Sequence, residues 1–287
     1  MKDYSDKRYS LAAVLAHPDD ESFGIGGTLA LYAQKGVEIH LICATRGEAG
    51  EMDPACLEGF DSIADRRESE LRCAAKQLGI HSVHYLNYRD SGMSGSLDNQ
   101  HPQALVNAPT ADVAQSIAEH IRRLRPQIII TFDPIGGYKH PDHIAIHNAT
   151  VIAFKLAGDV LHHSEYPPYK PEKLYFQLIP KGFLRWAVML LRIFGKDPTH
   201  FGRNQDIDLA ALVDEGNFPT HAVIDYREVQ DLRDQAALCH ASQLDPVSQR
   251  GGIMRWTRYL FGSKDYYMRA EPLPTSMKVE RDLFESL

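Results

Sequence analysis

The sequence predicts an α/β protein of Rossmann-like type, in which helices flank a mostly parallel sheet and a C-terminal elaboration follows. Short apolar runs at residues 11–15 and 128–132 have the length and composition of strands buried on both faces. Helical patterns lie between the runs, and this alternation is typical of βαβ units. At 287 residues and 44% hydrophobic content, the chain is long enough for a sizeable core.

Each predicted element has a local reason. Apolar runs predict the strands, and Gly36 and Gly79 are placed to end the first two helices. In the third helix, apolar residues recur at 113, 117, 121 and 124, which is the spacing of one helical face. The predicted strands are residues 11–16, 37–44, 83–86, 127–132, 173–179 and 220–224, and the predicted helices are residues 28–35, 61–78, 111–125, 140–156, 182–194, 226–242 and 253–261.

We expect a single domain, residues 1–287, with its core at about 11–158 and 220–242. Residues 159–219 are expected to form a cap or insertion, and residues 243–287 a C-terminal elaboration. The apolar and basic helix predicted at 182–194 suits a subunit contact, a membrane surface or a lid, and a subunit contact or core packing is favoured. A homo-oligomer is compatible with this helix.

Composition excludes several classes of partner. The formal net charge of -7 argues against a general nucleic-acid binder, which needs clustered Lys and Arg. No apolar run approaches the ~20 residues that span a bilayer, and the polar first ten residues lack a signal-peptide core, so we expect no membrane span and a cytoplasmic location.

The four cysteines, at positions 43, 56, 73 and 239, form no Cys-x-x-Cys pair and are expected to be reduced thiols. Cys239 stands beside His240, as in a nucleophile pair. Helix packing is the favoured interpretation, because adjacent helical residues do not face each other.

A first polar cluster, Ala-His-Pro-Asp-Asp-Glu at residues 16–21, follows the first strand. His17 and Asp20 are three residues apart across a turn whose backbone Pro18 restricts, so both side chains can bind one metal ion while Asp19 points elsewhere. The cluster therefore offers two metal ligands and a spare carboxylate.

A second cluster, Tyr-Lys-His-Pro-Asp-His at residues 138–143, follows the strand at 127–132 and can supply a third ligand. Both clusters lie at the carboxyl ends of predicted parallel strands, where open α/β sheets place their active sites. His147 lies one turn after His143 and suits a fourth ligand, although a helix-surface role is favoured. The glycines at 24, 26 and 27 lack the full dinucleotide-binding spacing, so a nucleotide site is a weak alternative.

These motifs resemble the zinc-dependent PIG-L/LmbE de-N-acetylases, including those of the mycothiol and bacillithiol pathways. The matching segments are residues 16–21, 46–50, 89–93, 140–143 and 237–243. The resemblance implies one Zn²⁺ per chain, bound by His17, Asp20 and His143, and other divalent metals can occupy such a site.

The resemblance also implies catalytic roles. Asp19 is expected to be the general base for the attacking water. His140, held by Asp142 and positively charged, is expected to stabilise the tetrahedral intermediate and protonate the leaving amine. Tyr138 can add a phenolic donor.

The positions of Arg67, Asp90 and Arg46 match substrate-facing positions of the family, and we expect Arg67 and Asp90 to meet at the pocket rim. The implied reaction removes an N-acetyl group from an N-acetylglucosamine-type sugar or its conjugate, a small-molecule substrate, by hydrolysis of the linear amide. Two alternatives remain open, namely an amidase that acts on a thiol-sugar conjugate or other amide, and a catalytically silent carbohydrate-binding protein.

Overall fold

The computed structural model describes residue 4 and residues 9–201, 207–244, 263–276 and 278–287. Within these residues, seven strands form one sheet in the order β3-β2-β1-β4-β5-β7-β6. The strands are β1 (Ser10–Leu15), β2 (Glu38–Thr45), β3 (Ser82–Tyr88), β4 (Ile128–Phe132), β5 (Lys173–Leu178), β6 (Ala222–Asp225) and β7 (Lys264–Glu271). The α-helices are α1 (Asp20–Gly24), α2 (Gly26–Gln34), α3 (Ile63–Leu78), α4 (Thr110–Leu124), α5 (Gly136–Lys139), α6 (Pro141–Leu156), α7 (Lys181–Ile193), α8 (Leu209–Asp214) and α9 (Gln230–Cys239).

The first five strands are parallel, which confirms the predicted Rossmann-like class. β2 lies on one side of β1 and β4 on the other, so the strand order reverses between β1 and β4. In open α/β sheets, such a reversal leaves a crevice at the carboxyl ends of the two strands. Both strands are buried along their whole length, in agreement with their apolar sequences.

The predicted helix boundaries on either side of this crevice are close to those observed. α3 begins after Ser62, whose Oγ accepts a hydrogen bond from the backbone N–H of Asp65, and ends at Gly79 in the left-handed conformation. The apolar face predicted for α4 is buried in the core. α3 therefore lies where the sequence places it, and it carries Arg67.

The sheet includes two strands from outside the segments expected as core. β5 comes from the expected cap and pairs with β4, whereas β7 comes from the expected C-terminal elaboration and lies antiparallel between β5 and β6. No strand is predicted from the sequence at β7. The division into core, cap and elaboration stays a prediction, and the helix predicted at 253–261 lies outside the described residues.

Helices α7 and α8 form a second apolar cluster beside the main core. Leu184 and Val188 of α7 pack with Leu209 and Leu212 of α8. Ile135, from the loop after β4, and Tyr138, of α5, lie against this cluster. The inner face of α7 is therefore core packing next to the crevice. Among the described residues, no helix combines the length and apolar character needed to cross a membrane.

The expectation that all four cysteines are reduced is wrong for two of them. Cys73 of α3 and Cys239 of α9 form a disulfide, with their Cα atoms 5.8 Å apart. The two helices bring together residues 166 positions apart in the chain, a proximity that cysteine spacing cannot show. Cys43 is a free, buried thiol, as expected for its strand.

Candidate active site

The two His/Asp clusters meet at the crevice between β1 and β4. His17 lies just after β1, and His140 and His143 lie at the start of α6, where Pro141 occupies the first helical turn. Asp90 comes from the loop after β3. All four side chains are buried, so three separate strand ends build one enclosed polar site.

His17 is the centre of the cluster. Its Nδ1 lies 3.3 Å from His143 Nε2 and 3.6 Å from Asp20 Oδ2. Its Nε2 lies 3.2 Å from Asp142 Oδ2 and 3.4 Å from Asp90 Oδ1. A proton on Nε2 can therefore be donated to the two carboxylates, which leaves Nδ1 free to bind a metal. Carboxylates behind metal-binding imidazoles commonly fix the tautomer in this way.

Asp20 and His143 each present one further ligand atom. Asp20 Oδ2 accepts the backbone N–H groups of Ala16 and His17, and Oδ1 lies 3.3 Å from His143 Nε2. The ring Nδ1 of His143 lies 3.2 Å from the carbonyl oxygen of Gly136, to which it donates, so Nε2 is free. Ligands of a tetrahedral zinc ion lie about 3.3 Å apart, because each is ~2.0–2.1 Å from the metal. These three residues therefore fit a divalent metal ion.

Among the described residues, two sets of three buried side chains, neither of which contains Asp20, place one possible ligand atom each within 4.8 Å of one another. His17, His140 and His143 form one set, and His17, Asp90 and Asp142 form the other. Both share His17 with the set containing Asp20. The cluster is thus a concentrated metal-binding environment with more donors than one ion requires.

The charges around His17 favour a bound cation. Burial opposes protonation of its imidazole, but Asp90, Asp142 and Asp20 together raise the pKa of His17 well above its usual range. Burial also opposes ionisation of Asp20, yet His143 and His17 hold the pKa of Asp20 well below its usual range. A site that attracts a proton this strongly also attracts a metal ion.

Asp19 stands apart from the proposed ligands. Its backbone has φ 134°, a conformation rare for a non-glycine residue that costs about 1–3 kcal/mol. Asp19 Oδ2 accepts a hydrogen bond of 2.9 Å from Arg67 Nη2. Burial raises the pKa of Asp19 to about 6, against the opposing charge of Arg67. A carboxyl group tuned toward neutrality suits a general base.

Arg67 is buried beneath Asp19. Its Nη2 donates to the carbonyl oxygen of Pro18 at 2.6 Å, and its Nη1 donates to that of Gly47 at 3.3 Å. Gly47 has φ +73°, and a Cβ there would lie 2.2 Å from Arg67 Nη1. The glycine is therefore needed for the close approach of the guanidinium to the strand ends.

The three residues predicted to face the substrate do not all lie in the site. Arg67 Nη1 and Asp90 Oδ2 lie 4.0 Å apart, so the two residues do meet, but both are buried rather than placed at an open rim. Arg46 is partly exposed and forms ion pairs with Glu68 and Asp65 of α3. Their roles in substrate binding stay predictions.

The expected pairing of His140 with the Asp142 carboxylate is wrong. The carboxylate lies against His17, and the backbone N–H of Asp142 donates to His140 Nδ1 at 3.2 Å. Burial, with His17 and His143 nearby, lowers the pKa of His140 to about 2, so the ring is neutral rather than positively charged. Its remaining proton is on Nε2.

Two other residues lie beside the cluster. The Tyr138 ring packs edge-on against His143, with centroids 5.0 Å apart, and burial raises the pKa of its phenol, which stays protonated. His147 is buried rather than on the helix surface. Its Nδ1 lies 2.9 Å from the carbonyl oxygen of Phe132, outside the metal-binding sets.

A buried pair behind Asp19 is not predicted from the sequence. Glu21 Oε1 lies 2.7 Å from His240 Nε2, and both side chains are fully buried. Both residues fall within quoted motifs, residues 16–21 and 237–243, but their pairing joins positions 219 apart. A glutamate in the first turn of a helix is commonly exposed, so no local signal indicates its burial.

The fold and the cluster define an α/β protein with a built site for a divalent metal. The sequence profile of the PIG-L family, described as GlcNAc-PI de-N-acetylase, matches residues 12–154. A 1D-myo-inositol 2-acetamido-2-deoxy-alpha-D-glucopyranoside deacetylase 2 from Catenulispora acidiphila is 33% identical over 100% of both chains. A 1D-myo-inositol 2-acetamido-2-deoxy-alpha-D-glucopyranoside deacetylase from Acidothermus cellulolyticus is 37% identical over 82% of this chain and 80% of that protein. The chain belongs to the PIG-L family of de-N-acetylases.

Solved structures share the fold. The N,N'-diacetylchitobiose deacetylase from Pyrococcus horikoshii matches with a TM-score of 0.64 at 17% identity, covering 96% of this chain and 90% of that chain. The 4-carboxy-2-hydroxymuconate hydratase from Pseudomonas putida matches with a TM-score of 0.61 at 19% identity, covering 93% and 98%. Because a hydratase also has this fold, the reaction must be argued from the site.

Proposed function

We propose that this protein is a zinc-dependent hydrolase that removes the acetyl group from an N-acetylglucosamine-type sugar joined to a further polyol, such as inositol. Family membership and the relatives' activity support the reaction and the sugar. The observation that carries the proposal is the convergence of His17 Nδ1, His143 Nε2 and the Asp20 carboxylate, with Asp19 adjacent but engaged by Arg67.

Asp20 is preferred over His140 as the third ligand. Two backbone N–H groups hold Asp20 Oδ2 in a fixed direction, with Oδ1 3.3 Å from His143 Nε2 and Oδ2 3.6 Å from His17 Nδ1. His140 uses Nδ1 to accept a hydrogen bond, and its Nε2 carries the proton. Two imidazoles and one carboxylate are a donor set of catalytic zinc sites, which leave a position open for water or substrate. Zinc bound there supplies a Lewis acid that lowers the pKa of a coordinated water and polarises the amide carbonyl.

Each residue around the metal site then has a separate role in the reaction. Asp19 accepts a proton from the attacking water and passes it to the amine nitrogen as the amide C–N bond breaks, so that acetate and a free amine leave. Arg67 keeps the Asp19 carboxylate in place. His140 donates from Nε2 to the oxygen that becomes negative, and Tyr138 adds a phenolic donor. Asp142 serves the reaction through His17, whose Nε2 it contacts.

A substrate comparison tests this proposal. The metal-loaded protein is incubated with N-acetylglucosaminyl-inositol, free N-acetylglucosamine and a glucosaminyl-inositol that carries a larger thiol-bearing acyl group, and both acid and primary amine are measured. We expect equimolar acetate and amine from the first compound, at the highest kcat/KM. Release of the larger acid without acetate would indicate the conjugate amidase. Saturable binding with no amine released would indicate a carbohydrate-binding protein.

A further inference from the structure

A fully buried carboxylate behind the site is engaged on both of its oxygens. Glu21 Oε2 accepts the backbone N–H of Asp19 at 2.9 Å. Glu21 Oε1 accepts from Ser22 Oγ at 2.5 Å and lies 2.7 Å from His240 Nε2. The Asp19 N–H and the Ser22 O–H donate to the two carboxylate oxygens, and the Nε2–H tautomer of His240 donates as well. Glu21 thus connects the residue after α9 to the backbone of the proposed base.

The segment around His240 is anchored on both sides. Cys239 is bonded to Cys73 of α3, and the N–H and Oγ of Ser242 both donate to the Glu70 carboxylate of α3, at 2.9 and 2.7 Å. The same helix carries Arg67, which holds the Asp19 carboxylate. The two ends of Asp19, its N–H and its carboxylate, are therefore fixed with respect to one helix.

Asp19 needs such support because its φ of 134° is unfavourable for an L residue. With an ordinary negative φ at Asp19, its side chain would no longer point toward Arg67. Glu21 Oε2 keeps its position as acceptor for the Asp19 N–H only while Glu21 Oε1 is held by His240 and Ser22. Loss of the His240 donor would free Glu21 to rotate and the Asp19 backbone to relax.

We infer that Glu21 and His240 are positioning residues, which hold the backbone of Asp19 so that its carboxylate lies where the proposed base must act. This inference rests on the proposed function. It assigns no contact with substrate or metal to either residue. Their loss should lower kcat and leave both KM and metal content nearly unchanged.

The test compares His240→Leu with His240→Gln. Among the described residues, the side chain of His240 makes its hydrogen bond through Nε2, and Nδ1 has no partner there. A glutamine amide N–H can reach the same place as Nε2. We expect kcat to fall about tenfold in His240→Leu, with KM and metal content within about twofold of the unsubstituted protein, and to stay within about threefold in His240→Gln. The general basis is the steep cost of misplacing a reacting group.

Tyr267→Phe is the matched control, because it removes an equally buried hydrogen bond, from Tyr267 Oη to Thr28 Oγ1, away from the site. We expect a lower Tm without a change in kcat. If His240→Leu keeps kcat within threefold of the unsubstituted protein, or His240→Gln falls equally far, the inference is overturned. Should His240→Leu not fold, Glu21→Gln replaces it, because the amide keeps the volume but turns an NH₂ group toward one of the donors. Unchanged kcat in that variant overturns the inference as well.

A measurement independent of turnover separates this inference from the proposed function. Deuterium uptake by the peptide that covers residues 16–23 reports the hydrogen bond of the Asp19 amide. We expect faster uptake in His240→Leu but not in His240→Gln or Tyr267→Phe. If no substrate releases acetate, the proposed function fails, but the comparison of deuterium uptake still tests whether Glu21 and His240 hold the backbone of Asp19. Equal uptake in all variants would overturn this positioning role.

Discussion

Asp19→Asn should keep the metal while turnover falls by roughly 10² to 10⁴, the usual range for loss of a general base. The amide has the same shape, and its oxygen can still accept from Arg67 Nη2, which lies 2.9 Å from the carboxylate. The fold and the neighbouring ligands should therefore be preserved, and only the ability to take a proton is lost. The measurement is kcat on the N-acetyl sugar conjugate, with metal content determined on the same sample.

The neighbouring Asp20→Asn variant is the control. One carboxylate oxygen of Asp20 accepts two backbone N–H groups, and the other faces His143 Nε2. The amide of an asparagine at this position has one oxygen and cannot replace both. We expect metal binding to weaken in this variant. If Asp19→Asn loses the metal and Asp20→Asn retains it, the assignment of Asp19 as the base and Asp20 as the metal ligand is reversed.

Asp90→Ala should lower kcat/KM by about 10- to 100-fold, equally on an N-acetyl sugar and on a small acyclic N-acetyl amine. Asp90 Oδ1 lies 3.4 Å from His17 Nε2, and the Gly92 N–H donates to the same oxygen. Burial opposes its ionisation, but His17 and this N–H hold the pKa of Asp90 below its usual range. Loss of a carboxylate behind a metal-binding imidazole commonly weakens metal affinity or activity by this factor.

Asp98→Ala is the matched control, because Asp98 is a carboxylate of the same loop that pairs with Arg89 away from the cluster. It should leave kcat/KM and metal affinity unchanged. A loss in Asp90→Ala confined to the sugar substrate, with unchanged metal affinity, would contradict this account. It would instead support the sequence-based assignment of Asp90 to sugar recognition.

The sequence predicts the parallel core and the two metal-binding loops because their signals are local. A short apolar run indicates a buried strand, and both β1 and β4 are buried along their whole length. A His-Pro-Asp sequence follows β1 almost directly and follows β4 after seven residues. His17, Asp20 and His143 therefore come together as expected. The prediction depends only on the rule that parallel strands end at the same edge.

Other features depend on contacts between distant segments, which local patterns do not contain. β7 is a strand because β5 and β6 pair with its two edges, and Cys73 reaches Cys239 because α3 packs beside α9. Asp142 lies in the first turn of α6 and can turn toward either of two histidines, and only the packed site shows that it contacts His17. The burial of Arg67 likewise becomes visible only with Gly47 placed against it.

The requirement for a metal at His17, Asp20 and His143 is tested most directly by titrating zinc into chelator-stripped protein while amine release from N-acetylglucosaminyl-inositol is followed. We expect no turnover in the stripped protein, a linear rise with added zinc that reaches a plateau at one equivalent per chain, and no rise in His143→Ala. Full turnover in the presence of chelator, with metal far below one equivalent by elemental analysis, would contradict the requirement for a metal.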